Sequence, residues 1–161
     1  MRRAGAAVVA SIGAVGLIVT VVGTFLPWLR SGEVRRNSYA SFGLLRRLIG
    51  FPGPAELLLR AWPLLGAVCA VVVLVAIAGL PRVAAGSALL VAAWSGTVAG
   101  GALAHDPVGL VRVDALGPIV TLSGSATAAV AAILALTSQA APAVGGTNRE
   151  RASRRALRPK R

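Results

Sequence analysis

Four stretches of this chain, residues 4–28, 61–80, 83–104 and 115–136, contain no Asp, Glu, His, Lys or Arg. Each is roughly 20 residues or longer. A helix of that length rises about 1.5 Å per residue and crosses a hydrocarbon core of about 30 Å. Lipid offers no hydrogen-bond partner to the backbone, so each stretch must close its own hydrogen bonds as a helix. The competing arrangement is a soluble bundle of buried helices, which needs polar stripes to face water. Residues for such stripes are scarce. The chain is 56% hydrophobic and 14% charged, with mean hydropathy +0.77, where a soluble domain is about a quarter charged. The expected fold is therefore all-α: a polytopic membrane protein with a four-transmembrane-helix bundle over residues 1–140. A short amphipathic helix lies in its first outer loop, and residues 141–161 form a disordered basic tail.

The first stretch follows Arg2 and Arg3 and is rich in alanine, as a signal peptide is. It is longer than an h-region of about 7–15 residues, which suggests a retained signal anchor. Four spans place both termini on one side. That side carries ten basic residues: Arg2, Arg3, Arg82 and seven in the tail. The opposite, outer side carries seven: Arg30, Arg35, Arg36, Arg46, Arg47, Arg60 and Arg112. The short Arg2–Arg3 flank and the Arg82 turn weigh most, so the termini are expected to be cytoplasmic and the protein to sit in the cell membrane.

The first span passes into the first outer loop, residues 29–60, through "TFLPWLRSGEVRRN" at residues 24–37. Pro27 is expected to stop the first helix and Trp28 to rest at headgroup depth. Over residues 38–51, Leu44, Leu48, Leu45, Ile49 and Phe42 fill one arc of a helical wheel, which Ser41 interrupts, while Gly43, Arg46 and Arg47 oppose it. Such a helix either lies in the membrane interface or caps the bundle. Gly53, Pro54 and Glu56 then read as a helix start. The second span is thus able to begin as early as Pro54 and to bend at Pro63. Asp114 is placed to cap the fourth span, and Gly117-Pro118 to soften its beginning.

Residues able to carry chemistry are few. Cys69 is the only cysteine, and no Cys/His metal spacing exists. His105 and Asp106 adjoin at an outer boundary, but no nucleophile is spaced to use them, and a lone histidine at a helix end is more often a cap. Neither an enzymatic role nor a cofactor is expected. Charge-free spans also argue against proton relay, ion coupling and voltage sensing. The polar residues inside are small. Thr121/Ser125 and Ser123/Thr127 form i,i+4 pairs on two faces of the fourth span, and Gly96 and Gly100 make a GxxxG step in the third. Gly96, Gly100, Ser123 and Thr127 are the candidates for close helix packing. Trp94 lies mid-span, and its indole N–H is expected to find a serine or carbonyl. In the tail, Arg151, Arg154, Arg155, Arg158, Lys160 and Arg161 are the candidates for contact with anionic lipid. Without aromatic platforms or a folded module, nucleic acid is not an expected partner.

In layout and composition the chain resembles the small four-span membrane proteins common in actinobacteria. More loosely, Leu26-Pro27-Trp28 is similar to the step by which the first span of claudin-like four-span proteins enters a long outer loop. The paired cysteines of that loop are missing here, and no functional residue is carried over. That resemblance implies at most a partner-contact role for the outer loop. Independently of it, the candidate residues for interaction at the outer face are Trp28, Arg30, Arg35, Arg36, Arg46, Arg47 and Arg112. The expected function is an accessory or assembly subunit of a cell-envelope membrane complex, meeting another membrane protein or a second copy. A small-molecule or lipid transporter without ion coupling, using the Ser/Thr positions and Trp94, is the alternative.

Overall fold

In the computed structural model, residues 2–31, 33–48, 53–104 and 111–140 are described. Their elements are α1 (Arg2–Phe25), β1 (Pro27–Ser31), β2 (Val34–Asn37), α2 (Ser38–Leu48), α3 (Pro54–Ala61), α4 (Leu65–Ile77), α5 (Pro81–Ala104), β3 (Val111–Val113) and α6 (Leu116–Ala140). The described chain is 84% helical, and four helices are long and apolar enough to cross a membrane: Ala4–Phe25, Glu56–Ile77, Pro81–Ala104 and Leu116–Gln139. Their packing order around the bundle is α1, α6, α5, α4. The start of α1, the α4–α5 turn and the end of α6 share the terminal end. The strands, α2 and α3 occupy the other. The all-α expectation therefore holds for the bundle and fails for the loops, which contribute a three-stranded antiparallel sheet ordered β2-β1-β3.

The second span begins at Pro54, with Gly53 at the N-cap (φ 75°) and Glu56 in the first turn. Pro63 has no N–H to give to an α-helical ladder. The chain accordingly tightens into a 3-10 turn at Trp62–Leu64 before α4 resumes. At the other end Gly79 takes φ 82°. Gly79 N–H donates to Ala76 O and Leu80 N–H to Val75 O, both at 3.2 Å, which closes α4 as a Schellman motif. Pro81 then opens α5.

The tightest seam joins α1 to α6. Gly16 and Gly23 on α1, seven residues or about two helical turns apart, face Gly124 and Thr121 on α6. A Cβ at Gly16 would lie 2.6 Å from Ala128 N and 2.9 Å from Gly124 O. One at Gly124 would lie 2.7 Å from Gly16 O, and one at Gly23 2.5 Å from Thr121 N. The two backbones touch. Between apolar helices in lipid no hydrophobic force favours association, so close van der Waals contact between small residues must supply it.

This seam corrects the expected packing set. Gly96 does meet α6, where its Cβ would lie 3.7 Å from Ser125 Cβ, but Gly100 has nothing within 4 Å. Ser123 and Thr127 point outward, their hydroxyls donating to the carbonyls of Ile119 and Ser123, each at 2.9 Å. The buried pair is Thr121/Ser125. Ser125 donates to Thr121 O at 2.8 Å, and its hydroxyl lies 2.7 Å from that of Ser95 on α5. Both pairs satisfy i,i+4 spacing, and only the neighbouring helices decide which one turns inward. Nor does α6 soften at Gly117-Pro118. It is continuous, because a proline in the first turn removes an N–H that has no helical partner. As expected, Asp114 Oδ1 caps it, accepting from Leu116 N–H at 3.3 Å.

Candidate functional site

The first loop folds onto the bundle through aromatic rings. Trp28 and Trp62 are 2% and 1% exposed. Trp28 meets Trp62 edge to face at 5.7 Å. Phe42 contacts Trp28 at 5.6 Å and Trp62 at 5.2 Å, and Trp62 reaches Trp94 at 5.8 Å. The indoles also hold the backbone. Trp28 Nε1 donates to Gly23 O at 2.9 Å, and Trp62 Nε1 to Ser38 Oγ at 3.0 Å. Ser38 Oγ donates in turn to Thr24 O at 2.7 Å, and Thr24 Oγ1 lies 3.0 Å from the Tyr39 hydroxyl. Asn37 caps α2, its Oδ1 accepting from Ala40 N–H at 3.0 Å. Ser41, the residue that interrupts the apolar arc, is buried and donates to Asn37 O at 2.7 Å. The start of α2 is thus a cap on the bundle. Trp28 sits inside that cap, buried by protein. Trp94 departs from expectation: among the described residues its Nε1 has no hydrogen-bond partner.

The sheet explains how Trp28 is buried while its neighbours are not. In β1, Pro27 pairs with Asn37 and Leu29 with Arg36, so Trp28 is an extra residue at a bulge. A regular strand would put Trp28 and Arg30 on one face; a bulge re-aims one of them. Beyond it the pairing is regular. Arg30 lies opposite Arg35 of β2 on one side and opposite Arg112 of β3 on the other. Directly paired residues share a face, with Cβ atoms about 4.5–5.5 Å apart. Arg35, Arg30 and Arg112 therefore form a row across all three strands, and all are exposed. Arg36 sits on the opposite face beside Leu29 and Val113 and is half-buried.

The structure thus gathers three of the expected outer arginines and separates the rest. Arg46 and Arg47 belong to α2. Arg60 stands apart on α3, ion-paired with Glu56 at 2.6 Å. His105, Asp106 and the tail residues from Arg151 to Arg161 lie outside the described residues. Among the described residues no group of three His, Cys, Asp or Glu side chains could hold a metal ion.

A local signal for the hairpin was present. Residues 32–33, Gly-Glu, separate the paired Ser31 and Val34, and glycine opening a two-residue connection favours a hairpin turn. The third strand gives no comparable signal, because Val111–Val113 joins β1 from some eighty residues away. Bundle and cap together define the class: a mostly helical, four-helix chain of membrane-spanning character, crowned by a small arginine-bearing sheet. Compared with family models, curated proteins and solved structures, the chain finds no match.

Proposed function

We propose that the protein is a non-enzymatic integral membrane protein, an accessory or assembly subunit of a cell-envelope membrane complex. Both termini are cytoplasmic, and the cap docks on an acidic surface of another membrane protein. The row Arg35–Arg30–Arg112 carries this reading. The sheet sets three exposed guanidinium groups side by side on one face. Such a row fits an acidic surface, because guanidinium forks bind carboxylates in a bidentate manner. The aromatic anchor under the sheet keeps the row ordered before a partner arrives, which lowers the entropy lost on binding.

The transporter reading finds less support. Its polar pathway would use the Ser/Thr positions and Trp94. Ser95 and Ser125 bond each other in the α5–α6 contact, and Thr121 packs against Gly23. The Thr121 hydroxyl and the Trp94 indole are buried without a partner among the described residues, but the cavity between the helices is lined mainly by apolar side chains.

The test is extraction of the full chain in mild detergent, followed by native mass spectrometry. A copurifying protein is expected. Reversing the row (Arg30→Glu, Arg35→Glu and Arg112→Glu together) is expected to reduce its recovery roughly tenfold or more. Arg60→Glu, outside the row, leaves recovery unchanged. Recovery of monomer alone from wild type would overturn the proposal.

A further inference from the structure

A second feature lies at the opposite end of the molecule. Between α1, α4, α5 and α6 runs a cavity of about 580 Å³, open to the surface. Its walls are almost wholly alanine and other small apolar side chains, among them Ala10, Ala14, Ala76, Ala85 and Ala132. The cause is visible in the packing. Gly16 and Gly124 bring α1 and α6 into backbone contact near mid-bundle. Toward the terminal end the facing residues are alanines, too short to fill the space as the four helices continue. On α1 the cavity extends from Ala6 to Leu17. That is roughly 16 Å of helix axis, or about half of a hydrocarbon core of ~30 Å.

Three observations restrict what occupies this space. The walls are apolar, so they offer ordered water almost no partners. The cavity is one leaflet deep and closes where the α1–α6 backbones meet. A transmembrane helix from a partner, which crosses the whole core, would be arrested halfway. Three polar side chains line it: Ser138 and Gln139 near the terminal end, and Ser11 part-way along α1. Arg82, exposed at the start of α5 beside the lining residue Pro81, reaches Gln139 O at 3.4 Å. A guanidinium thus stands where the headgroup of a lipid in that leaflet would lie.

We propose that the cavity is a binding site for an anionic phospholipid of the leaflet on the terminal side. One acyl chain lies along the alanine walls, and the phosphate meets Arg82. The site is independent of the outer arginine row.

The test uses the full chain, purified in detergent and titrated in native mass spectrometry with dioleoyl phosphatidylglycerol or dioleoyl phosphatidylcholine. Wild type is expected to hold one lipid and to prefer the anionic one roughly fivefold, the effect of one basic residue facing an anionic headgroup. Ala14→Phe and Ala76→Leu, on different walls, each intrude on the path of the acyl chain and are expected to weaken lipid retention. Arg82→Gln, on the surface, is expected to keep binding and lose the preference. Unchanged lipid retention in both wall variants overturns the proposal. So does an undiminished preference in Arg82→Gln, a readout that survives even if neither core variant folds. A dimer that the wall variants dissociate would also refute it, by making the cavity an interface between copies.

Discussion

Gly16→Leu is expected to unfold the bundle at a denaturant concentration where the wild type is intact, with a loss of about 3 kcal/mol or more. Overpacked cores usually lose about 1–3 kcal/mol because neighbouring side chains adjust. Here the atoms nearest a new Cβ are the backbone nitrogen of Ala128 and the carbonyl oxygen of Gly124, at 2.6 and 2.9 Å. Neither can rotate away, so the whole of α1 must lift from α6. Gly124→Leu is expected to behave alike, since its Cβ meets Gly16 O at 2.7 Å. Gly86→Ala and Gly100→Ala make the contrast. Each lies within α5 with nothing within 4 Å of its Cβ, so alanine there is expected to stabilise the helix by about 0.5–1 kcal/mol. Unfolding in detergent, followed by far-UV circular dichroism, checks all four. A Gly16→Leu protein as stable as the wild type would mean that α1 does not pack on α6 through this seam.

Trp62→Ala is expected to loosen the cap while leaving the α1–α6 seam closed. Removing a buried tryptophan ring costs about 3–5 kcal/mol, and this ring touches Trp28, Phe42 and Trp94 at once. The change also leaves Ser38 Oγ without the indole N–H that donates to it. Trp62→Phe keeps most of the packing and loses the hydrogen bond, a smaller cost of about 1 kcal/mol. Hydrogen exchange separates the two regions. Faster exchange is expected over β1, β2 and the start of α2 in Trp62→Ala, with the interiors of α1 and α6 still protected. Because the sheet holds Arg35, Arg30 and Arg112 in register, the same variant is expected to lose the copurifying partner, although Trp62 is itself buried. Uniform exchange across cap and bundle would show that the aromatic cluster does not hold the cap separately.

The helices were legible where the signal was local. The charge-free stretches marked all four long helices, Gly53-Pro54 marked the start of α3, and Pro63 marked the break before α4. Asp114 identified itself as a cap by its place just before an apolar run. What failed was the choice between equivalent faces. Ser123/Thr127 and Thr121/Ser125 repeat at the same spacing, and nothing along α6 ranks one above the other. GxxxG drew attention to Gly96 and Gly100, whereas the α1–α6 backbone contact falls on Gly16, Gly23 and Gly124. The burial of Trp28, beside a proline at a span's end, was not legible either, because the bulge that turns it inward depends on the pairing of β1 with β2.

Hydrophobic length and the absence of charge, both properties of the chain alone, determined that this protein has four long apolar helices and that its arginines lie outside their charge-free stretches. Each such helix satisfies its own backbone, so its existence needs no knowledge of its neighbours. The arginine row and the alanine-walled cavity depended on tertiary structure. Arg30 and Arg112 are adjacent only because β3 returns to pair with β1, and the cavity exists only because the α1–α6 glycine seam closes one half of the bundle and leaves the other half apart. Both features are relations between distant segments, set by which backbones touch, and periodicity along one segment does not encode them.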